Sequence, residues 1–395
     1  MYDYIIIGNG IAGFTAAKEI RENNEDKTIL IISKENYHTY WRTRLSDLIS
    51  KDFCIDDTLV KKETWYEENK IEEKLGVSVE KIDKENKEVI LEDGQKIKYD
   101  KLLIATGSHC FVPPIENVNS KGVFAIRTLD DLIGFKEAIK DKKKVIIIGG
   151  GLLGLEAAYS ITKLGLEVLV IESMPSLLSR QLDLELSTKI KDELEKIGIK
   201  AVTGKNTNQI LEKDGKAYGV ELADGSTYQA DAIIIQAGVR ANIEVGQNSG
   251  LKTERGICVN ESLVTEDKDI YVAGDCAQIG NVSMGLWTAS QEMGKIAANN
   301  MTGSNQTYQV PKPFTSLLLG DLKVFSAGIT SGEGIEEIKK EDGDYIYKLF
   351  KKDKDFVGGI LWKNISYQND IKKIVFQKEN PANTKLGKEV FNGLI

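Results

Sequence analysis

A short apolar run, a glycine-rich turn and a helical stretch follow one another twice in this chain, and that doubling constrains the fold more than any other feature. The first copy reads Asp3-Tyr-Ile-Ile-Ile-Gly8, then Asn9-Gly10-Ile-Ala-Gly13, then a helical stretch from Phe14 to Glu22. The second reads Lys144-Val-Ile-Ile-Ile-Gly149, then Gly150-Gly151-Leu-Leu-Gly154, then a helical stretch from Leu155 to Leu164. A second apolar strand follows each, Thr28–Ser33 and Glu167–Glu172. Gly8 and Gly149 stand 141 residues apart. Self-similarity at that distance means two copies of one strand–helix–strand domain and not a solenoid.

In a Gly-x-Gly-x-x-Gly turn the first glycine makes the tight bend, the second lets a pyrophosphate approach the backbone, and the third lets the helix pack on the strand. The phosphates settle at the helix N-terminus, where free N–H groups and the helix dipole favour anions. One such turn is a weak signal. Two, each behind an apolar strand and before a helix, mark Gly8, Gly10, Gly13 and Gly149, Gly151, Gly154 as two dinucleotide cradles. A carboxylate at the end of the next strand accepts the ribose 2′-hydroxyl and repels a 2′-phosphate. Glu172 holds that place, 18 residues after Gly154, so the second site is predicted to take NADH in preference to NADPH. In the first copy the acid comes two residues late, in Ser33-Lys34-Glu35, and Glu35 is assigned to the adenosine ribose there.

The rest of the pattern is alternating. Val77–Ile82, Glu88–Leu91 and Lys96–Tyr99 read as a small meander turning at Asp93-Gly94, followed by a buried-type strand Lys101–Ala105 that ends in Thr106-Gly107. Gly219–Leu222, the turn Asp224-Gly225 and Ala232–Gln236 before Ala237-Gly238 repeat this theme. Ile270–Ala273 leads into Gly274-Asp275, and a helix is predicted over Thr288–Met301. Pro113-Pro114 reads as a linker, while Pro311 and Pro313 open a last segment of mixed strands. The predicted fold class is α/β: two Rossmann-like dinucleotide-binding domains, one from 1–110 with 233–305 and one from 111–232, and a small C-terminal α+β domain over 306–395.

Net charge of -8 argues against a nucleic-acid partner, which requires a dominant basic surface. No run of about 18 apolar residues is present, so no membrane span is expected. The chain enters its first strand at once, without a basic head and apolar run, and is read as cytoplasmic. Cys54, Cys110, Cys258 and Cys276 form no C-x-x-C pair, which suits a reducing compartment, and Cys54 is read as a small buried residue. With His38 and His109 the only histidines, no metal site is expected. From residue 309 onward, 14 Lys face 12 Asp and Glu, a balance of +2 that leaves -10 for the rest. Such a tail favours an acidic protein partner or is simply a set of solvated lysine faces.

The two turns, Ala105-Thr106-Gly107 and Tyr271-Val-Ala-Gly274-Asp275 together resemble the two-dinucleotide flavoprotein reductases, over about residues 1–305. The resemblance implies FAD in the first cradle and NADH in the second, with Asp275 near the FAD ribityl and pyrophosphate. It further implies that Ala105, Thr106, Gly107, Gly238 and Gly274 lie among the cofactor-binding residues. The stretch Tyr37-His-Thr-Tyr40-Trp41-Arg42-Thr43-Arg44-Leu45-Ser46 is similar to that of NADH:rubredoxin oxidoreductases and ferredoxin reductases. These belong to the FAD-dependent pyridine nucleotide-disulfide oxidoreductases, but this stretch has no redox cysteine. Without a thiol beside the flavin, a sulfur-based cycle has no nucleophile.

By the same resemblance, Arg42 stands near flavin N5 and pairs with Glu156, both in catalytic roles, and Arg44 joins the cofactor site. Trp287 covers the isoalloxazine, or is a plain core tryptophan. The implied activity is transfer of electrons from NADH through flavin to a one-electron protein acceptor. A small acidic carrier, rubredoxin, is the leading choice, drawn by Arg42, Arg44 or the lysine-rich tail. Two other readings stand: a ferredoxin reductase or nitrite-reductase-type flavoprotein module, and a flavin-bearing redox sensor that is not an enzyme. The short tail points to a monomer.

Overall fold

The structure, a computed structural model, describes residues 1–394. The chain forms two compact units. The first comprises Met1–Arg44, Asp52–Phe111 and Val239–Pro311; the second comprises Leu45–Lys51, Val112–Gly238 and the chain from Lys312 onward.

In the first unit the strand Tyr2–Ile7 runs parallel between Ile29–Ser33 and Lys96–Ile104, with Ile71–Leu75 outside the former and Ile270–Val272 beside the latter. A parallel strand covered on both faces reads as a continuous apolar run. Ile5 and Ile6 show this, with no exposed surface at all. The strands expected separately at Lys96–Tyr99 and Lys101–Ala105 are one strand, Lys96–Ile104. Its first half pairs antiparallel with Glu88–Leu91 and its second half parallel with Tyr2–Ile7. The polar Tyr99-Asp100-Lys101 stretch that reads as a break is where the strand passes between its two partners.

The first-turn helix runs Ile11–Asn23, three residues earlier than predicted. Gly13 therefore lies inside its first turn. A Cβ there would sit 2.0 Å from the Gly8 carbonyl oxygen, so only glycine lets helix and strand meet. The helix Trp287–Met301 packs against it through another glycine. A Cβ on Gly294 would lie 2.3 Å from the Ala12 carbonyl oxygen.

The second unit repeats the plan. Its parallel sheet runs Ile199–Thr203, Glu167–Glu172, Lys144–Ile148, Ala232–Ile235, Val123–Phe124, with the helix Leu152–Thr162 after the turn. Thr207–Lys213, Lys216–Leu222 and Thr227–Gln229 form an antiparallel three-stranded sheet. The chain from Lys312 builds a five-stranded antiparallel sheet with the helix Gln368–Gln377, around Phe325, Leu349, Leu361, Ile371 and Ile374. Lys348 of this sheet has no exposed surface. Its Nζ lies 2.8 Å from Asp183, 2.6 Å from Glu185 and 3.0 Å from Glu337.

The domain limits differ from those read in the sequence. Ala232–Ile235 bonds to Lys144–Ile148, so the chain returns to the first unit at Val239 and not at 233. Tyr308 packs in the core of the first unit, which moves the start of the last segment from 306 to Lys312. Leu45–Lys51 joins the second unit, where it packs on the helix Leu152–Thr162 and Lys136 Nζ holds the carbonyls of Leu48 and Ile49, each at 3.1 Å, and that of Lys51. No helix among the described residues is long and apolar enough to cross a membrane.

Candidate functional site

Both glycine turns have the same geometry. Gly8 has φ +114°, and a Cβ on it would lie 2.2 Å from the Ala105 carbonyl oxygen; Gly149 has φ +122°, and a Cβ on it would lie 2.3 Å from that of Gln236. Both positions admit only glycine. Gly154 repeats Gly13, with its Cβ position 2.1 Å from the Gly149 carbonyl oxygen.

Gly10 and Gly151 behave differently. Their φ and ψ, -83° and -176°, and -82° and -176°, suit any residue, and a Cβ on either would meet nothing within 4 Å. The packing of the protein gives no reason for glycine there. Glycine there leaves room for a group that approaches the backbone from outside the chain. Each turn opens a helix that has no side-chain cap and no acid in its first turn, so the N–H groups are oriented to an anion. This is what a dinucleotide pyrophosphate needs, and the residues fit it at both turns.

At the second turn, Glu172 is held at the strand end. Its Oε2 accepts the Gly150 N–H at 2.7 Å, and its Oε1 accepts the Met174 N–H at 2.8 Å and the Ser173 hydroxyl at 3.2 Å. Gly150, outside the motif proper, is glycine because a Cβ would lie 2.4 Å from Leu177 Cδ2 and 3.0 Å from Glu172 Cβ. Glu156 occupies the first turn and a half of the helix Leu152–Thr162. Burial pushes its carboxyl up to about 7, and the nearby charge of Asp47 adds to this.

At the first turn, Glu35 receives Tyr40 Oη on one oxygen and Arg42 Nη2 on the other, each at 2.5 Å. Arg42 also lies over the Tyr40 ring, 4.7 Å from its centre. Burial opposes its charge, but Tyr40, Glu35 and Asp275 outweigh burial and raise its pKa. Arg42 thus stands beside the carboxylate assigned to the ribose, and Glu156 has Asp47 as its near charge. Arg42 belongs to the first compact unit and Glu156 to the second. Arg44 is exposed, with Nη1 3.4 Å from the Asp57 carbonyl oxygen.

Asp275 follows Gly274 (φ +85°), whose Cβ position is 3.1 Å from Ala12 Cβ of the first-turn helix. Its carboxylate accepts the hydroxyls of Ser108, at 2.7 Å, and Ser290, at 3.0 Å. Thr106 and Gly107 are braced by Asn242. Thr106 Oγ1 donates to the Asn242 carbonyl at 2.8 Å, Asn242 Nδ2 donates to the Thr106 carbonyl at 2.7 Å, and Asn242 N–H donates to the Gly107 carbonyl at 2.9 Å. Gly107 (φ +69°) and Gly238 (φ +103°) each close a strand in open space. Trp287 begins its helix and stacks on Trp41, with centroids 5.5 Å apart and planes at 26°. Cys54, read as buried, is exposed, with Sγ 2.9 Å from Asp57 Oδ2.

Several residues of the first site were not legible in advance. Ser108 and Ser290 have no motif of their own. Asn9, Thr39, Glu73 and His38 form a hydrogen-bonded chain behind the turn; Asn9 lies inside the glycine motif and His38 and Thr39 inside the Tyr37–Ser46 stretch, while Glu73 carried no signal.

Residues 2–294 match the family described as pyridine nucleotide-disulphide oxidoreductase. The chain belongs to this family. Among curated relatives it is 36% identical over 381 residues to "Nitrite reductase [NAD(P)H]" of Bacillus subtilis, covering 95% of this chain and 47% of that protein. It is 30% identical over 392 residues to "NADH-rubredoxin oxidoreductase" of Clostridium acetobutylicum, covering 99% of this chain and 98% of that one. Among solved structures it matches a ferredoxin reductase of Rhodopseudomonas palustris with TM-score 0.85 and 27% identity, over 93% of each chain. The chain spans about half the length, 47%, of the first curated relatives it matches. The family uses FAD and NAD(H), which agrees with two cradles of equal geometry.

Proposed function

We propose that this chain is an NADH-dependent flavoprotein reductase with FAD on the Gly8–Gly13 cradle and NADH on the Gly149–Gly154 cradle. The observation that carries this reading is the pair Gly10 and Gly151, two glycines that no packing explains, each at an uncapped helix start. Bound FAD supplies the chemistry that takes two electrons from a reduced nicotinamide and releases them one at a time. The chain's own residues bind and orient. Glu172, fixed by two backbone N–H groups, is set to accept a ribose 2′-hydroxyl and to repel a 2′-phosphate. Arg42, held by Glu35, puts a cation at the nucleotide end of the first cradle. Asp275, carried on two serine hydroxyls, accepts ribityl hydroxyls. Glu156, which holds its proton up to about 7, lies beside the second cradle as a neutral hydrogen-bonding group at mildly acid pH.

The acceptor is a small iron–sulfur or iron carrier, with rubredoxin the first choice. Likeness to an NADH-rubredoxin oxidoreductase along nearly the whole of both chains supports it. A second reading, the electron-entry module of a nitrite reductase, is supported by the higher identity to the Bacillus protein, of which this chain matches about half. The test is to reduce the purified yellow protein with NADH and follow reoxidation by rubredoxin, ferredoxin and oxygen. Rapid reoxidation by rubredoxin supports the first reading. A flavin that stays reduced with every carrier overturns it in favour of a sensor.

A further inference from the structure

Behind the first glycine turn lies a buried polar chain that the reading above does not use. Asn9, between Gly8 and Gly10, is 8% exposed. Its Nδ2 donates to Glu73 Oε1 at 2.7 Å, and its Oδ1 accepts the hydroxyl of Thr39, itself 1% exposed, at 2.7 Å. The same hydroxyl lies 3.1 Å from the Asn9 backbone oxygen. The other oxygen of Glu73, Oε2, is 2.8 Å from His38 Nδ1, and the His38 ring stacks on Tyr66, with centroids 5.0 Å apart. Glu73 comes from the middle of the edge strand Ile71–Leu75, and its side chain is 9% exposed. A carboxylate placed in this way is costly unless its acceptor sites are used, and here one goes to the turn and one to a histidine.

We infer that Glu73, oriented by His38, is a positioning residue for FAD: by holding the Asn9 amide it keeps the Gly8–Gly13 turn in the shape that receives the pyrophosphate. The inference rests on the assignment of FAD to the first cradle. Asn9 Nδ2 donates to Oε1, and His38 Nδ1 donates to Oε2 when it carries a proton, so an ionised carboxylate serves both neighbours. A proton on Oε1 sets a donor against the Asn9 amide, and a proton on Oε2, facing His38, removes the carboxylate charge and weakens its hold on that amide. The groups that face Glu73 are His38 and Asn9, which favour its charge, and Glu63, on the helix Glu63–Glu68 with Tyr66, which opposes it. Tyr66 is pushed up to about 12 by burial and stays neutral. Burial raises the Glu73 pKa, so its proton returns at a higher pH than for an ordinary glutamate. FAD is therefore held less tightly as pH falls through the mildly acid range.

The experiment measures the rate of FAD release from the holoprotein between about pH 5 and pH 8, by recovery of free-flavin fluorescence, for the wild type, Glu73→Gln and Asn9→Ala. Release from the wild type is expected to quicken as pH falls. In both variants it is expected to be about tenfold faster at neutral pH, the scale of one charge-assisted hydrogen bond, and nearly independent of pH. Asn9→Ala leaves the Glu73–His38 pair intact and serves if Glu73→Gln does not fold. A wild-type release rate that is flat with pH, or variants that keep the wild-type rate and profile, overturns the inference while leaving FAD binding in place. A protein that binds no FAD at any pH overturns this inference together with the reading beneath it.

Discussion

At the scale of single residues, the glycines divide into those the fold requires and those a Cβ would not disturb. Gly8→Ala drives a Cβ into the Ala105 carbonyl at a φ of +114° and is expected to destabilise the protein by about 3 kcal/mol or more. Gly10→Ala meets nothing and has an ordinary φ, so thermal unfolding of the flavin-free protein should stay within about 1 kcal/mol of the wild type while FAD affinity falls at least tenfold. Thermal melts with flavin titration separate the two.

Glu156 gives a pH dependence with a definite sign. An unfolded-chain glutamate releases its proton near 4.5, whereas the folded one keeps it to about 7. Between those values the folded state binds more protons, so this residue makes stability fall as pH rises from about 4.5 to 7. Urea unfolding of Glu156→Gln, compared with the wild type at both ends of that window, should show a flatter slope. Glu156 also shows where sequence reading stopped. Its place after the glycine turn was legible, but its environment was not, because Asp47 reaches it from a segment about a hundred residues away. The ion pair of Arg42 with Glu35 was not legible, since such a pair depends on how a loop folds and leaves no periodic trace.

At the scale of elements, the strands and helices of the two repeats were legible because period and glycine spacing encode them directly. Helix starts were misplaced by three residues in both copies, since the third glycine of each motif lies inside the helix and reads as a breaker. The break within Lys96–Ile104 was a similar error: a strand that changes partners carries two polarity patterns in one element. The Lys348 cluster was invisible, as its three carboxylates come from distant stretches. It ties the start of the helix Leu184–Lys196, where Asp183 is the N-cap, to the C-terminal sheet. Burial disfavours the charge of Lys348, but the three acids outweigh it and raise its pKa. Lys348→Met removes the cation that joins the three acids, leaving Lys339 on Glu185 alone, and should cost about 3 kcal/mol, measured as a fall in the unfolding midpoint of the second unit.

At the scale of the whole molecule, charge and the two cradles set the functional predictions. The body carries -10 and the tail from 309 carries +2, so an acidic carrier finds attraction only at local basic groups such as Arg44 and the lysines of the tail. Raised salt should slow reduction of rubredoxin more than reduction of the flavin by NADH, as read from the two rates across an ionic-strength series. The central claim is that the two glycine cradles hold FAD and NADH, with Glu172 selecting the latter. Its most direct test is anaerobic single-turnover reduction of the bound flavin by NADH and by NADPH. The account predicts complete bleaching of the yellow protein, faster and at lower concentration with NADH. A protein without bound flavin, or one reduced better by NADPH, would contradict it.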